Sequence, residues 1–168
     1  MRAAIIQTTS GTDPAENARD LTTALAKVAG DGALFAFTPE MCGMLDMDRS
    51  RMMAKAVAET DDRVLAAVRE AAARHGMWVH LGSLALKAED DSERLVNRGF
   101  VIDDTGGIRA RYDKMHLFDV DLPSGERYRE SATYKPGCEA AVADTPWGRV
   151  GLSICYDLRF SGLYQQLT

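Results

Sequence analysis

Cys155 stands in the decapeptide Gly151-Leu-Ser-Ile-Cys-Tyr-Asp-Leu-Arg-Phe160, between an apolar, strand-like run and a charged segment that reads as the start of a helix. A thiol presented on such a turn can act as a nucleophile. At a free pKa of about 8.5 only a small part is thiolate at neutral pH, so its surroundings must activate it. Two further side chains of useful chemistry fall at the ends of predicted elements, Glu40 behind Pro39 and Lys114 after an apolar strand. Glu40 could take the thiol proton and Lys114 could stabilise a developing oxyanion. That division of labour suits attack of Cys155 on an electrophilic carbon bearing nitrogen. The tetrahedral intermediate would be held by the Lys114 ammonium and the Tyr156 backbone N–H, ammonia or an amine would leave, and the thioester would be hydrolysed. No hydroxyl residue lies in a G-x-S-x-G setting, and none of His75, His80 and His116 has an evident catalytic partner. Covalent cysteine catalysis is the class these residues support.

The elements that must position them can be read from hydrophobic periodicity. Residues 2–9 read as a strand. Asp13-Pro-Ala-Glu16 opens a helix, with Asp13 as N-cap, Pro14 in the first turn and Glu16 as capping-box partner, and Gly30-Asp-Gly32 ends it. Residues 33–38 form a buried strand that delivers Glu40. A second helix runs over 61–75, capped by Thr60 or Asp61 and stopped by Gly76, and a strand follows over 77–84. Residues 87–94 read as a polar surface turn. Residues 95–102 and 108–112 flank Asp103-Asp-Thr-Gly-Gly107, a hairpin signal, and 139–145 with 149–155 form another around Pro146-Trp-Gly148. Residues 113–137 lose periodicity and read as a long ordered loop; a helix begins at Leu158. Early strand–helix alternation followed by hairpins predicts an α/β layered fold with a mixed sheet. In such sheets chemistry sits at the carboxyl ends of strands, so Glu40, Lys114 and Cys155 could converge.

Composition narrows the class. The 168 residues, 46% hydrophobic and 27% charged, suit one ordinary globular domain. A formal charge of -5 gives no general attraction for nucleic acid or an anionic membrane, so neither is expected as a partner, and a small molecule is. The N-terminal apolar stretch is too short for a signal peptide, and no run approaches the roughly 20 apolar residues of a membrane span. Cys42, Cys138 and Cys155 cannot all pair within one chain and read as free thiols, which predicts a cytoplasmic location. Neither the cysteines nor the histidines show metal-ligand spacing, so no metal or cofactor is expected. Met41, Met44, Met47, Met52 and Met53 are expected to fill core or line a pocket rim.

Three blocks, Phe37-Thr-Pro-Glu40, Arg111-Tyr-Asp-Lys-Met-His-Leu-Phe-Asp119 and Gly151 to Phe160, together resemble in order and spacing the signature blocks of the nitrilase superfamily of carbon-nitrogen hydrolases. The resemblance implies an α-β-β-α sandwich that pairs into homo-oligomers, and a Glu-Lys-Cys catalytic triad falling on Glu40, Lys114 and Cys155. It also implies an auxiliary glutamate after the lysine, matched by Glu130 in Tyr128-Arg-Glu-Ser-Ala-Thr-Tyr-Lys-Pro-Gly137, that orients Lys114 and substrate or assists proton transfer. The lysine block followed by Glu-Ser and Pro-Gly is similar to the branch of ω-amidases and deaminated-glutathione amidases. It implies a hydrolase acting on a small linear amide; Tyr156, through its backbone N–H, and Arg159, just past the nucleophile with a guanidinium fork that suits a carboxylate, are the expected substrate-binding residues. Family members commonly continue past Arg-Phe with Pro-Glu-Leu-Tyr, where this chain has Ser161-Gly-Leu-Tyr164. Family domains also run further, so residues 1–168 are expected to be the N-terminal portion of one. The alternatives are an inactive truncated fragment and an acyltransferase of the same family.

Overall fold

In a computed structural model, which describes residues 1–90 and 93–168, five strands form one mixed sheet. They are β1 (Ala3–Ile5), β2 (Phe35–Phe37), β3 (Trp78–Lys87), β4 (Leu95–Ile102) and β5 (Ile108–Asp113), paired in sequence order. β1, β2 and β3 run parallel, whereas β4 and β5 are antiparallel additions. Parallel pairs need a crossover, and the helices α1 (Pro14–Gly30) and α3 (Arg63–His75) supply them. Between these lies α2 (Arg49–Lys55), an element the sequence pattern did not reveal.

α1 starts where expected, the Asp13 carboxylate accepting from Ala15 N at 2.8 Å. Glu16 reaches forward to Arg19 at 3.7 Å instead of back to the cap. α3 starts one residue beyond the later of its two expected caps. Glu59–Asp61 first close a short 3-10 turn, and Asp62, extended at its backbone, becomes the cap, accepting from Leu65 N at 2.8 Å. Gly76 ends α3 in the left-handed conformation that glycine adopts without steric cost.

The helical face of the sheet buries Val79, Leu81, Phe100 and Ile102 against Leu21 and Leu25 of α1 and Val64, Val68 and Ala72 of α3. Strand alternation sends the neighbours of these sheet residues, Trp78 and Val101, to the opposite face together with Phe35 and Tyr112. A hairpin of β8 (Val142–Thr145) and β9 (Gly148–Gly151), with α4 (Ser161–Leu167), covers that face through Ala143, Leu152, Ile154 and Leu163. The order of layers is helix, sheet, then hairpin with α4.

Three expectations change. The long ordered loop expected over residues 113–137 holds short elements of its own: β6 (Asp119–Asp121) and β7 (Arg127–Arg129) pair antiparallel within it, and Glu130–Ala132 make a 3-10 turn. The strand expected over 149–155 stops at Gly151, and Cys155–Arg159 form a tight 3-10 turn, so the helix begins at Ser161. Of the methionines, Met41, Met44 and Met52 are buried around Tyr134, but Met47 is 88% exposed. In the polar turn over 87–94, Asp91 and Ser92 lie outside the described residues; Ala88 N bonds Arg94 O at 3.3 Å. Among the described residues no helix is long and apolar enough to cross a membrane.

Candidate active site

Glu40 leaves the end of β2 on a turn that crosses β3. Thr38 N donates to His80 O at 3.0 Å and its hydroxyl accepts from Gly82 N at 3.0 Å; Met41 N donates to the Ser83 hydroxyl at 2.9 Å. The approach is so close that a β-carbon at position 82 would be driven into the carbonyl oxygens of Thr38 and Pro39. The register of β3 on β4 shifts between Leu81 and Leu84, a bulge that accommodates the crossing.

Lys114 follows β5, and both ends of its loop are pinned to β4. Lys114 N donates to Asn97 O at 2.9 Å, Lys135 N donates to Leu95 O at 2.7 Å, and Gly137 N closes back on Lys114 O at 3.0 Å. Within the loop, the β6–β7 hairpin brings Glu130 back to its start. Phe118 N donates to Glu130 Oε2 at 2.6 Å and Glu130 N to Phe118 O at 3.3 Å.

These elements bring the ionisable groups together. Lys114, 2% exposed, places its Nζ 3.0 Å from Glu40 Oε1 and 3.0 and 2.9 Å from the two oxygens of Glu130. Asn97, also buried, donates from Nδ2 to Glu40 Oε1 at 2.8 Å and to Glu130 Oε1 at 3.4 Å, which fixes the carboxylates relative to each other. Burial opposes the charge of Lys114, but Glu130 and Glu40 outweigh it and leave its pKa raised, so the ammonium persists.

The Cys155 thiol meets Glu40 and opens to solvent on its other side. Burial first, then the Glu40 charge and its hydrogen bond to the thiol, push the Cys155 pKa above that of a free thiol, against a smaller pull from Lys114. Two carboxylates and one ammonium leave the cluster negative, so the resting group is a thiol and a base must remove its proton during attack. Met41 (φ 53°) and Cys155 (φ 48°) are the non-glycine residues with positive φ among the described residues. One follows Glu40 and the other is the nucleophile candidate; left-handed backbone at such residues costs on the order of 1–3 kcal/mol and must be held by its surroundings.

The structure therefore assembles Glu40, Lys114, Glu130 and Cys155. Tyr156, half-buried, packs its ring edge-on against Phe118 (centroids 5.0 Å apart) and Phe160 (5.3 Å). Arg159 is exposed and lines a cavity of about 410 Å³ with Met115, His116 and Phe160, which includes none of the four clustered residues. A cavity of about 420 Å³ beside β5, where the exposed Cys138 sits, is equally separate from them. Sequence reasoning missed Asn97 and Asp157. Asn97, with Arg98 beside it, interrupts the apolar run of β4 and was a usable signal. Asp157 gave none beyond its place two residues after the thiol.

Residues 2–167 match the sequence model of the family described as Carbon-nitrogen hydrolase. The deaminated glutathione amidase of Yersinia enterocolitica is 37% identical over 165 residues, covering 98% of this chain and 57% of that protein. The omega-amidase of Danio rerio is 31% identical over 165 residues, with the same shares of 98% and 57%. Among solved structures, the C. elegans NitFhit protein superposes with a TM-score of 0.88 at 34% identity, covering 98% of this chain and 40% of that one. An amidase from Nesterenkonia, with acrylamide added at its active-site cysteine, gives 0.78 at 25%, covering 97% and 60%. The chain thus spans little more than half the length of the two amidase relatives.

Proposed function

The chain belongs to the Carbon-nitrogen hydrolase family, and from that premise we propose that it carries the reaction centre of an amidase acting on small linear amides. The observation that carries this reading is the buried Lys114 ammonium held between Glu40 and Glu130, with the Cys155 thiol against the same Glu40.

In the proposed cycle Cys155 Sγ bonds to the amide carbon as its proton passes to Glu40. The carbonyl oxygen becomes an oxyanion facing the Lys114 ammonium and the Tyr156 backbone N–H. Glu40 then returns the proton to the leaving nitrogen, the carbon–nitrogen bond breaks, and ammonia departs from a thioester. Water, giving a proton to Glu40, attacks the thioester; the carbon–sulfur bond breaks, the sulfur regains its proton, and the carboxylic acid leaves. Glu130 keeps Lys114 aimed throughout. The names of the relatives, an omega-amidase and a deaminated glutathione amidase, support ω-amides as the substrate class. Three free thiols support a reducing, cytoplasmic setting, and the family resemblance supports a homo-oligomer.

The test is ammonia release from a panel of short ω-amides by the purified chain and by Cys155→Ala. The expected result is turnover in the parent and none in the variant. Hydrolysis that survives the substitution overturns the mechanism. Little hydrolysis by the parent in water alone, with efficient transfer of the acyl group once a low concentration of an ordinary amine is added, would redirect the reading to acyl transfer through the same thioester.

A further inference from the structure

Asp157 is wholly buried and charged by type, yet none of the steps above uses it. Its Oδ2 accepts from the Tyr112 hydroxyl at 2.7 Å and from Ile154 N at 2.9 Å; its Oδ1 accepts from His116 N at 3.0 Å and lies 2.7 Å from His116 Nδ1. The Tyr112 hydroxyl also accepts from Met115 N at 3.3 Å. We propose that Asp157 is a positioning residue that holds Cys155 at a fixed place relative to Lys114.

The argument is one of location. Tyr112 and His116 lie two residues to either side of Lys114, and Ile154 immediately precedes Cys155. One carboxylate therefore ties the lysine segment to the nucleophile turn. On the turn side the clasp is double, since Asp157 N donates to Ile154 O at 3.1 Å while Ile154 N donates to the Asp157 side chain. This bounds the residue before Cys155 at both its donor and its acceptor, and it resists relaxation of the left-handed backbone at Cys155. On the lysine side the His116 ring is stacked on Phe160 (centroids 3.8 Å apart, planes 11° apart), which closes the far end of the same turn onto the same segment. A carboxylate offers about four acceptor positions, and here four donor groups face them. An asparagine would present an amide to two of those donors, whichever way it turned.

The proposal rests on Cys155 being the nucleophile, so its test reads the thiol directly as well as turnover. In a Cys138→Ala background, which removes the other exposed thiol, Asp157→Asn and Tyr112→Phe are compared with the parent. The measurements are iodoacetamide alkylation of Cys155 from about pH 6 to about pH 10, kcat and KM on an amide, and thermal melting. Tyr112→Phe deletes one donor and leaves the carboxylate in place, so it keeps the proposal testable even where Asp157→Asn does not fold.

A released turn takes Cys155 away from Glu40 and into solvent. The alkylation midpoint is then expected to move down toward the free-thiol value of about 8.5. The kcat is expected to fall about 100-fold for Asp157→Asn, the scale of an ångström-sized misplacement, and less for Tyr112→Phe, with KM little changed. Variants that melt lower but keep the parent's alkylation midpoint and kcat would show a merely structural aspartate and overturn the proposal. A parent that hydrolyses no amide removes the amidase reading, while the alkylation profiles still decide the role of Asp157.

Discussion

Glu40→Gln separates two effects that the geometry assigns to one carboxylate. Glu40 raises the Cys155 pKa through its charge and its hydrogen bond, second only to burial, and in the proposed cycle it is also the base. The substitution keeps the side-chain shape and leaves Lys114 its ion pair with Glu130 at 2.9 Å, so the cluster loses one negative charge and little else. Two unit charges about 4 Å apart interact by about 4 kcal/mol at an effective dielectric of 20 and by about 1 kcal/mol in bulk water. Because Cys155 faces solvent on one side, the lower part of that range applies. With one pK unit equal to about 1.4 kcal/mol, the Cys155 midpoint should fall by about one unit.

At neutral pH that gives about tenfold more thiolate, offset by the lower nucleophilicity of a less basic sulfur, for a net gain in alkylation rate of about threefold. Amide hydrolysis should move the opposite way, falling by about 100-fold or more as the general base is lost. The assay is the iodoacetamide pH–rate profile in the Cys138→Ala background beside ammonia release. Cys42 does not interfere, being buried with its thiol pushed up to about 11. An alkylation midpoint that stays put or rises refutes the electrostatic argument. Hydrolysis that keeps pace with the parent refutes the assignment of the base.

Gly82→Ala is expected to lower both stability and turnover, because its β-carbon collides with backbone carbonyls of the Glu40 turn and not with a side chain that can swing away. A cost of about 1–3 kcal/mol, read as a melting temperature several degrees lower, should accompany a fall in kcat, and an unchanged melt would sink the close-approach argument. Asp103 tests the sheet instead of the site. Its carboxylate accepts from Thr105 N at 2.9 Å, Thr105 Oγ1 at 2.6 Å and Gly107 N at 2.8 Å within the β4–β5 turn. Burial opposes its charge, but the Thr105 and Gly107 bonds outweigh it and bring the pKa from 3.8 down to about 2. The folded state thus prefers the ionised form, and the resulting stability is complete above the unfolded value and is lost as pH falls through about 2. Asp103→Asn should lower the urea midpoint at neutral pH by the equivalent of about 1.5–3 kcal/mol, with the gap to the parent closing in strong acid. A gap that persists there would contradict the linkage.

The parts legible in the sequence are those set by local chemistry. Asp13-Pro14 caps a helix by its own side chain and ring, Gly76 stops one by its backbone, and Asp103 to Gly107 turn a chain on themselves. The strand–helix alternation fixes the crossovers, and these carry Glu40 to a strand end. The boundaries of the strand over 149–155 and of the helix after it were misread because they depend on a bond no periodicity encodes, the Asp157 side chain turning back onto Ile154 N. The hairpin inside 113–137 escaped for a related reason. β6 and β7 are three residues each and carry charged termini, so they show no apolar face; partners such as Asp119 with Ser131 and Asp121 with Arg129 hold them.

The same distinction runs through the site. Thiol, ammonium and carboxylate announce themselves by type, and motif spacing groups them, but what holds them at fixed separations is long-range. Asn97 reaches Glu40 across 57 positions of sequence and Asp157 reaches Tyr112 across 45. Neither pairing exists until β4 has docked between β3 and β5 and the nucleophile turn has closed on the lysine segment. A polar residue buried in a strand, as Asn97 is in Leu95-Val-Asn-Arg-Gly-Phe-Val-Ile102, costs stability unless something polar meets it. Such a residue therefore points to a partner before the partner can be named. Here the partners are the two carboxylates that share Lys114, so the interruption of the strand and the reaction centre are one feature seen at two scales.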